Sequence, residues 1–111
     1  MSTIFEKIYN GEQKDVILYE TKGVFVINDI QKQAPIHMLI ISKYPYKNLQ
    51  DIPLQDIGII GEIAEVALYL ANKYGVEDNY RLVTNNGELA GQAVFHLHFH
   101  FLAGKKLRNI C

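Results

Sequence analysis

"AVFHLHFHFLA", residues 93–103, carries three of the chain's four histidines, one on every second residue. Side chains alternate between the two faces of an extended strand. Read as a strand, the segment puts His96, His98 and His100 on one face, about 6.6–7 Å apart, and Leu97, Phe99 and Phe101 on the other. The apolar face must enter a core. The imidazole face must meet partners, a ligand or solvent, because burying unpaired polar groups is costly.

What covers the apolar face lies earlier in the chain. From about Pro53 to Tyr74 the sequence reads as one long helix, ended by Gly75, whose missing Cβ suits a left-handed cap. Glu62, Glu65, Tyr69, Asn72 and Lys73 recur at steps of three and four and form a single polar stripe. Nearly every other position is apolar. A helix that only covers a sheet needs an apolar arc of a little over ~100°, and this one has considerably more. A chain of 111 residues has little material to surround it. The expectation is a homodimer, with the helix packed on its own sheet and against a second copy, and the sheet extended across the pair.

Working outward, "VILYE" (16–20) and "GVFVIND" (23–29) read as a hairpin turning at Gly23. Pro35 introduces a third strand, "IHMLIIS" (36–42), and residues 43–54 are loop. "YRLVTN" (80–85) is the fourth strand and 93–103 the fifth. Residues 2–10 form a short helix, with Thr3 and Glu6 spaced for a capping box and Ile4, Phe5 and Ile8 on its apolar face. The order predicts an α+β fold: a five-stranded antiparallel sheet carrying one long helix, in a single domain spanning 1–111. The tail "GKKLRNIC" is expected to be short and loosely held.

Composition narrows the function classes. Net charge is −1, and no basic run exceeds Lys105-Lys106 with Arg108 nearby, which argues against a nucleic-acid backbone binder. No apolar run reaches the ~20 residues of a membrane span, and the N-terminus lacks a signal-type core. The one cysteine, Cys111, permits neither a disulfide framework nor a cysteine metal knuckle. Cytoplasm is the expected compartment.

Three readings fit the alternating histidines. They form a solvated polar face; or they hold zinc, with His37 as a further ligand; or one is a nucleophile. The zinc reading lacks a carboxylate in the run, the nearest being Glu88 in the preceding loop. Neutral imidazole attacks phosphorus competently at neutral pH. That reading also needs backbone donors for an anion. "NNGELAGQAV" (85–94) supplies a candidate, with Gly91 allowing close approach and the Gln92 and Ala93 amides facing anionic oxygens.

"FVINDI" (25–30), "QAPIH" (33–37) and "NNGELAGQAVFHLHFHFLAG" (85–104) together resemble the histidine triad (HIT) family. His96-Leu97-His98-Phe99-His100-Phe101-Leu102 matches its His-φ-His-φ-His-φ-φ motif at every position, and the resemblance is closest to the small nucleoside-phosphoramidate hydrolases. It implies a homodimeric enzyme that cleaves purine nucleoside 5′-phosphoramidates through a nucleotidyl-histidine intermediate on His98, with AMP or GMP as the nucleotide part. By the same resemblance, His100 contacts phosphate, and His96 and His37 orient the nucleophile and carry protons. Asp29 binds the ribose hydroxyls, although by itself it reads as a turn residue after a strand. Ile4, Phe5, Ile8, Ile27 and Ile30 wall the base, and Asn85, Gly91 and Gln92 contact the phosphate or leaving group. Where that branch often carries serine, this chain has Ala93, which keeps only the backbone amide. The tail also departs from the longer endings of some relatives. No cofactor is required, and zinc is not favoured. The alternatives are a dinucleoside polyphosphate hydrolase, or a nucleotide- or zinc-binding regulatory module.

Overall fold

The computed structural model describes residues 2–110, so Cys111 lies outside the described residues. Five strands form one antiparallel sheet: β1 (Tyr19–Glu20), β2 (Val24–Asn28), β3 (Ile36–Ser42), β4 (Tyr80–Val83) and β5 (His98–Ala103), in the spatial order β1-β2-β3-β5-β4. A short helix α1 (Ile4–Lys7) runs into a π-helical turn, Ile8–Glu12, and the long helix α2 is Gly58–Lys73. The α+β architecture read from the sequence is the one observed.

β2 and β3 are apolar almost without interruption because both of their faces are covered. Val24, Val26, Met38 and Ile40 pack with Ile63, Val66 and Leu70 of α2. Phe25, Ile27, Leu39 and Ile41 pack on the opposite face with Phe5 and Ile8. Leu97 and Phe101 enter the α2 side of the core, as the alternation required, with Phe99 packed against it. Pairing of Leu39 with His100, Ile41 with His98 and His37 with Leu102 puts His37 on the same face as His98 and His100.

The ends of elements differ from the expectations. α2 starts at Gly58 because Pro53 is extended (ψ 148°) and Leu54–Asp56 closes separately as a 3-10 turn. Its C-terminus follows the reading: Gly75 has φ 67°, and Val76 N–H to Ala71 C=O with Gly75 N–H to Asn72 C=O completes a Schellman cap. The strand expected over 16–20 shrinks to Tyr19–Glu20, since Lys14–Val16 is a 3-10 turn. β4 stops at Val83 rather than 85.

The main correction concerns 93–103, which becomes strand only at His98. The buried Gln92 amide donates to the Val94 carbonyl, and Leu97 N–H donates across to Tyr46 C=O at 2.7 Å. These bonds bend residues 93–96 away from the ladder, while the Leu97 carbonyl still accepts from Ser42 N–H of β3 at 3.2 Å. His96 nevertheless keeps to the α1 side of the sheet, as alternation with Leu97 requires, with its ring against Thr3 and Phe5.

Candidate active site

On the α1 side of the sheet lies a cavity of about 620 Å³, within the ~300–1,000 Å³ typical of small-molecule sites. His98, His100 and His37 line it. So do Ile4, Phe5, Ile8, Ile27 and Ile30, together with Asp29, Asn85, Gly91, Gln92 and Ala93. Of the residues placed at the site by sequence, only His96 is absent from the lining. The apolar candidates divide in exposure: Phe5, Ile8 and Ile27 are buried and serve as both core and wall, whereas Ile30 is fully exposed at the rim.

Hydrogen bonds determine which nitrogen of each imidazole carries the proton. His98 Nδ1 lies 2.6 Å from the His96 carbonyl oxygen, which can only accept. Nδ1 thus holds the proton, and Nε2 keeps its lone pair. Gln33 N–H donates to His37 Nδ1 at 3.0 Å, so the His37 proton sits on Nε2. That Nε2–H faces His100 Nδ1 at 3.0 Å and Asp29 Oδ2 at 3.2 Å. With His100 Nδ1 accepting, the His100 proton is on Nε2. The rings of His98 and His100 stand 5.3 Å apart, giving the cavity one bare nitrogen beside one N–H.

All four imidazoles are pushed below the ordinary histidine value, which favours the neutral ring at neutral pH. Burial is the leading cause of the lowered pKa at His37, His96 and His98. His100 falls to about 4, first through burial and then through repulsion by His98 and His37.

His96 is wholly buried, with both ring nitrogens used inside the protein. Its Nε2–H donates to the Ser42 carbonyl at 2.7 Å, and Nδ1 lies 3.0 Å from the Thr3 hydroxyl. Its placement leaves it no route to a ligand's proton.

The anion cradle also differs in detail. Gln92 N–H donates to Gly87 C=O, so it is not free for an anion. The Gln92 side chain binds Lys47 C=O, Val94 C=O and Gly87 N–H, which makes it the fastener of the loop. The amides of Ala93 and Val94, both lining the cavity, have no acceptor among the described residues. Gly91 has φ 100°, a conformation that glycine takes without strain. Asp29 combines two roles: Oδ1 accepts from Gln31 N–H in a local turn, and Oδ2 faces His37 and His100.

Asp29, His37 and His100 offer ligand atoms within 4.8 Å of one another, the arrangement a metal would require. The donor set does not fit one. A neutral His37 that accepts at Nδ1 must carry its proton on Nε2, the very nitrogen a metal would occupy.

Sequence reading overlooked Thr3, Gln33 and Ser42 as partners of the imidazoles, since two of the three act through main-chain atoms and carry no side-chain signature. It also passed over Arg81, which lines the cavity and donates to the Arg108 carbonyl, and Ile110, which lies at the rim. Arg81 was detectable in principle: it stands two residues from Val83, the partner of His100, and so shares its face.

Comparison with known proteins agrees with this geometry. The HIT domain model matches residues 10–107. A HIT-like protein of Chlamydia trachomatis is 42% identical over 110 residues, covering 99% of both chains. A HIT family hydrolase from Clostridium thermocellum superposes with a TM-score of 0.92 at 39% identity, over 99% of this chain and 97% of that one. A histidine triad nucleotide-binding protein from Candida albicans gives 0.79 at 30% identity, over 99% of this chain and 86% of that one.

Proposed function

The chain belongs to the HIT domain family, and from that premise we propose that it hydrolyses purine nucleoside 5′-phosphoramidates by double displacement at His98. The observation that carries the reading is the 2.6 Å bond from His98 Nδ1–H to the His96 carbonyl, which leaves an unprotonated Nε2 at a ligand-sized cavity. In the first step the Nε2 lone pair forms a bond to the α-phosphorus, the P–N bond breaks, and the departing amine takes a proton from solvent at the open mouth of the cavity. Water then adds to phosphorus and gives up a proton to solvent, which balances the one the amine took, the P–Nε2 bond breaks, and AMP or GMP leaves with the His98 ring neutral again. The His100 Nε2–H and the Ala93 and Val94 amides supply donors for the phosphoryl oxygens as charge builds there. The lowered pKa values keep the nucleophile neutral.

Ile4, Phe5, Ile8, Ile27 and Ile30 form an apolar base wall, and Asp29 retains lone pairs for ribose hydroxyls. No metal takes part, a view supported by the His37 proton on Nε2. The enzyme works as a homodimer. A second leaving group, the second nucleotide of a dinucleoside polyphosphate, is favoured by Arg81, a permanent cation in the lining.

Mass spectrometry of the protein quenched during turnover of adenosine 5′-phosphoramidate tests the chemistry. A nucleotidyl adduct on the peptide containing His98 is expected, with AMP release abolished in His98→Ala. Substantial activity in that folded variant would exclude the mechanism. Relative turnover of the phosphoramidate and diadenosine polyphosphates separates the two leaving groups.

A further inference from the structure

We propose that Thr3 is a positioning residue for His98, acting through His96; this rests on the reading of His98 as the nucleophile. Thr3 is the N-cap of α1, ninety-three positions from His96 in sequence. Its hydroxyl is shared by two tasks. It accepts from Glu6 N–H at 3.2 Å as half of a capping box, whose other half is Thr3 N–H to Glu6 Oε1 at 3.1 Å. Its own proton points to His96 Nδ1 at 3.0 Å.

The direction of that last bond follows from the far side of the ring. The Ser42 carbonyl can only accept, so His96 Nε2 carries the proton and Nδ1 must receive one from Thr3. His96 is held between α1 and the end of β3, and its carbonyl oxygen takes the His98 Nδ1–H. Without the hydroxyl, a fully buried Nδ1 acceptor is left unpaired. The ring then tilts or admits water, and the carbonyl that aims His98 moves with it. Phe5, on the same helix, packs edge-on against both rings, at 5.7 Å from His96 and 5.1 Å from His98. Docking of α1 thereby builds a base wall and sets the nucleophile in one step.

Thr3 does not line the cavity, so its loss should act on kcat rather than on KM. The variants are Thr3→Val, Thr3→Ser and Glu6→Ala, each checked for a cooperative melt. In Thr3→Val, kcat should fall by roughly ten- to a hundredfold, the penalty of a small misplacement, with KM within about threefold. Thr3→Ser should restore the rate. Glu6→Ala keeps the hydroxyl and should stay within about twofold in kcat, separating the latch from simple capping. Nitrogen-15 spectra of the imidazoles supply a readout that needs no substrate. In Thr3→Val the His96 Nδ1 signal should shift toward that of a free acceptor, and the His98 Nδ1 proton should exchange at least about tenfold faster. Unchanged nitrogen signals and proton exchange in Thr3→Val, or an equal loss of kcat in Glu6→Ala, would overturn the proposal. If wild type turns over no nucleotide substrate, the reading of His98 falls instead, and the nitrogen spectra still decide the latch.

Discussion

The proposed mechanism needs His98 and His100 as neutral imidazoles, and this has a sign in pH. A nucleophile whose pKa is lowered by burial remains active below the ordinary histidine value. The kcat/KM profile should therefore be flat from about pH 8 down through 6.5, the unperturbed histidine value, and fall only in more acidic solution. A limb centred at or above 6.5 would show that burial does not govern the nucleophile. Stability carries the same sign. The unfolded chain takes up protons near pH 6.5, whereas folded His100 holds off until about 4. Between those values the unfolded state binds more protons, so stability declines as pH drops from 6.5 toward 4. Thermal melts across that window should show it, with a shallower decline in His100→Gln. The residue scale is also where sequence was most and least informative. His98, His100, His37 and Asp29 were legible, the first pair from alternation and motif, the other two from the resemblance. The tautomers were not, because they are set by the carbonyl of His96 and the amide of Gln33, and a main-chain group leaves no letter in the sequence.

Among the elements, β3 was read to the residue and α2 to its C-terminal cap, because apolar runs, Pro35 and Gly75 are strong local signals. The errors fell where tertiary bonds override local pattern. The Gln92 side chain and the Tyr46 carbonyl pull 93–96 out of the ladder, and no short-range rule anticipates a partner some fifty residues distant. The join between α2 and the β1–β2 turn was missed for the same reason. Glu62, read simply as one of the polar stripe, accepts from the Thr21 hydroxyl at 2.6 Å and from Gly23 N–H at 2.7 Å. These bonds, the Thr21 hydroxyl first, hold its carboxyl below the usual range. A Cβ on Gly23 would come within 2.9 Å of the Glu62 carboxylate, so a larger residue there would have to displace it from the turn. Glu62→Ala should cost about 1–3 kcal/mol, the penalty for donors left without their charged acceptor, measured by urea unfolding at pH 7. The difference from wild type should shrink as pH falls below the carboxylate range. A loss under a few tenths of a kcal/mol would show that the turn is held by packing alone.

At the scale of the whole molecule, the excess apolar surface of α2 remains where the sequence put it. Ile63, Val66, Ala67 and Leu70 bury themselves in the core, while Leu68 stays 57% exposed and Ile57 49%. Ile57, Gly61, Ala64 and Leu68 recur at steps of four, three and four, so they form one stripe down the side facing away from the sheet. The two small residues in its middle would let a second helix approach closely. The outer edge of β4 likewise has no partner strand among the described residues, and an unpaired edge is a template for pairing. A helix stripe and a free edge, both unfilled within one chain, are the features a two-fold dimer would use, since such an interface brings the same patch of each copy together. Light scattering or sedimentation should thus give about twice the 12.7 kDa of one chain. Leu68→Asp places a charge in the middle of the stripe, where burial without a partner is prohibitive, and should yield a monomer that keeps its fold by circular dichroism. Because Leu68 lies on the side of the sheet opposite the histidines, any fall in turnover of that monomer would measure what association adds to the site. A wild-type protein that sediments as a single chain at micromolar concentration would rule the dimer out and leave the α2 stripe without a role.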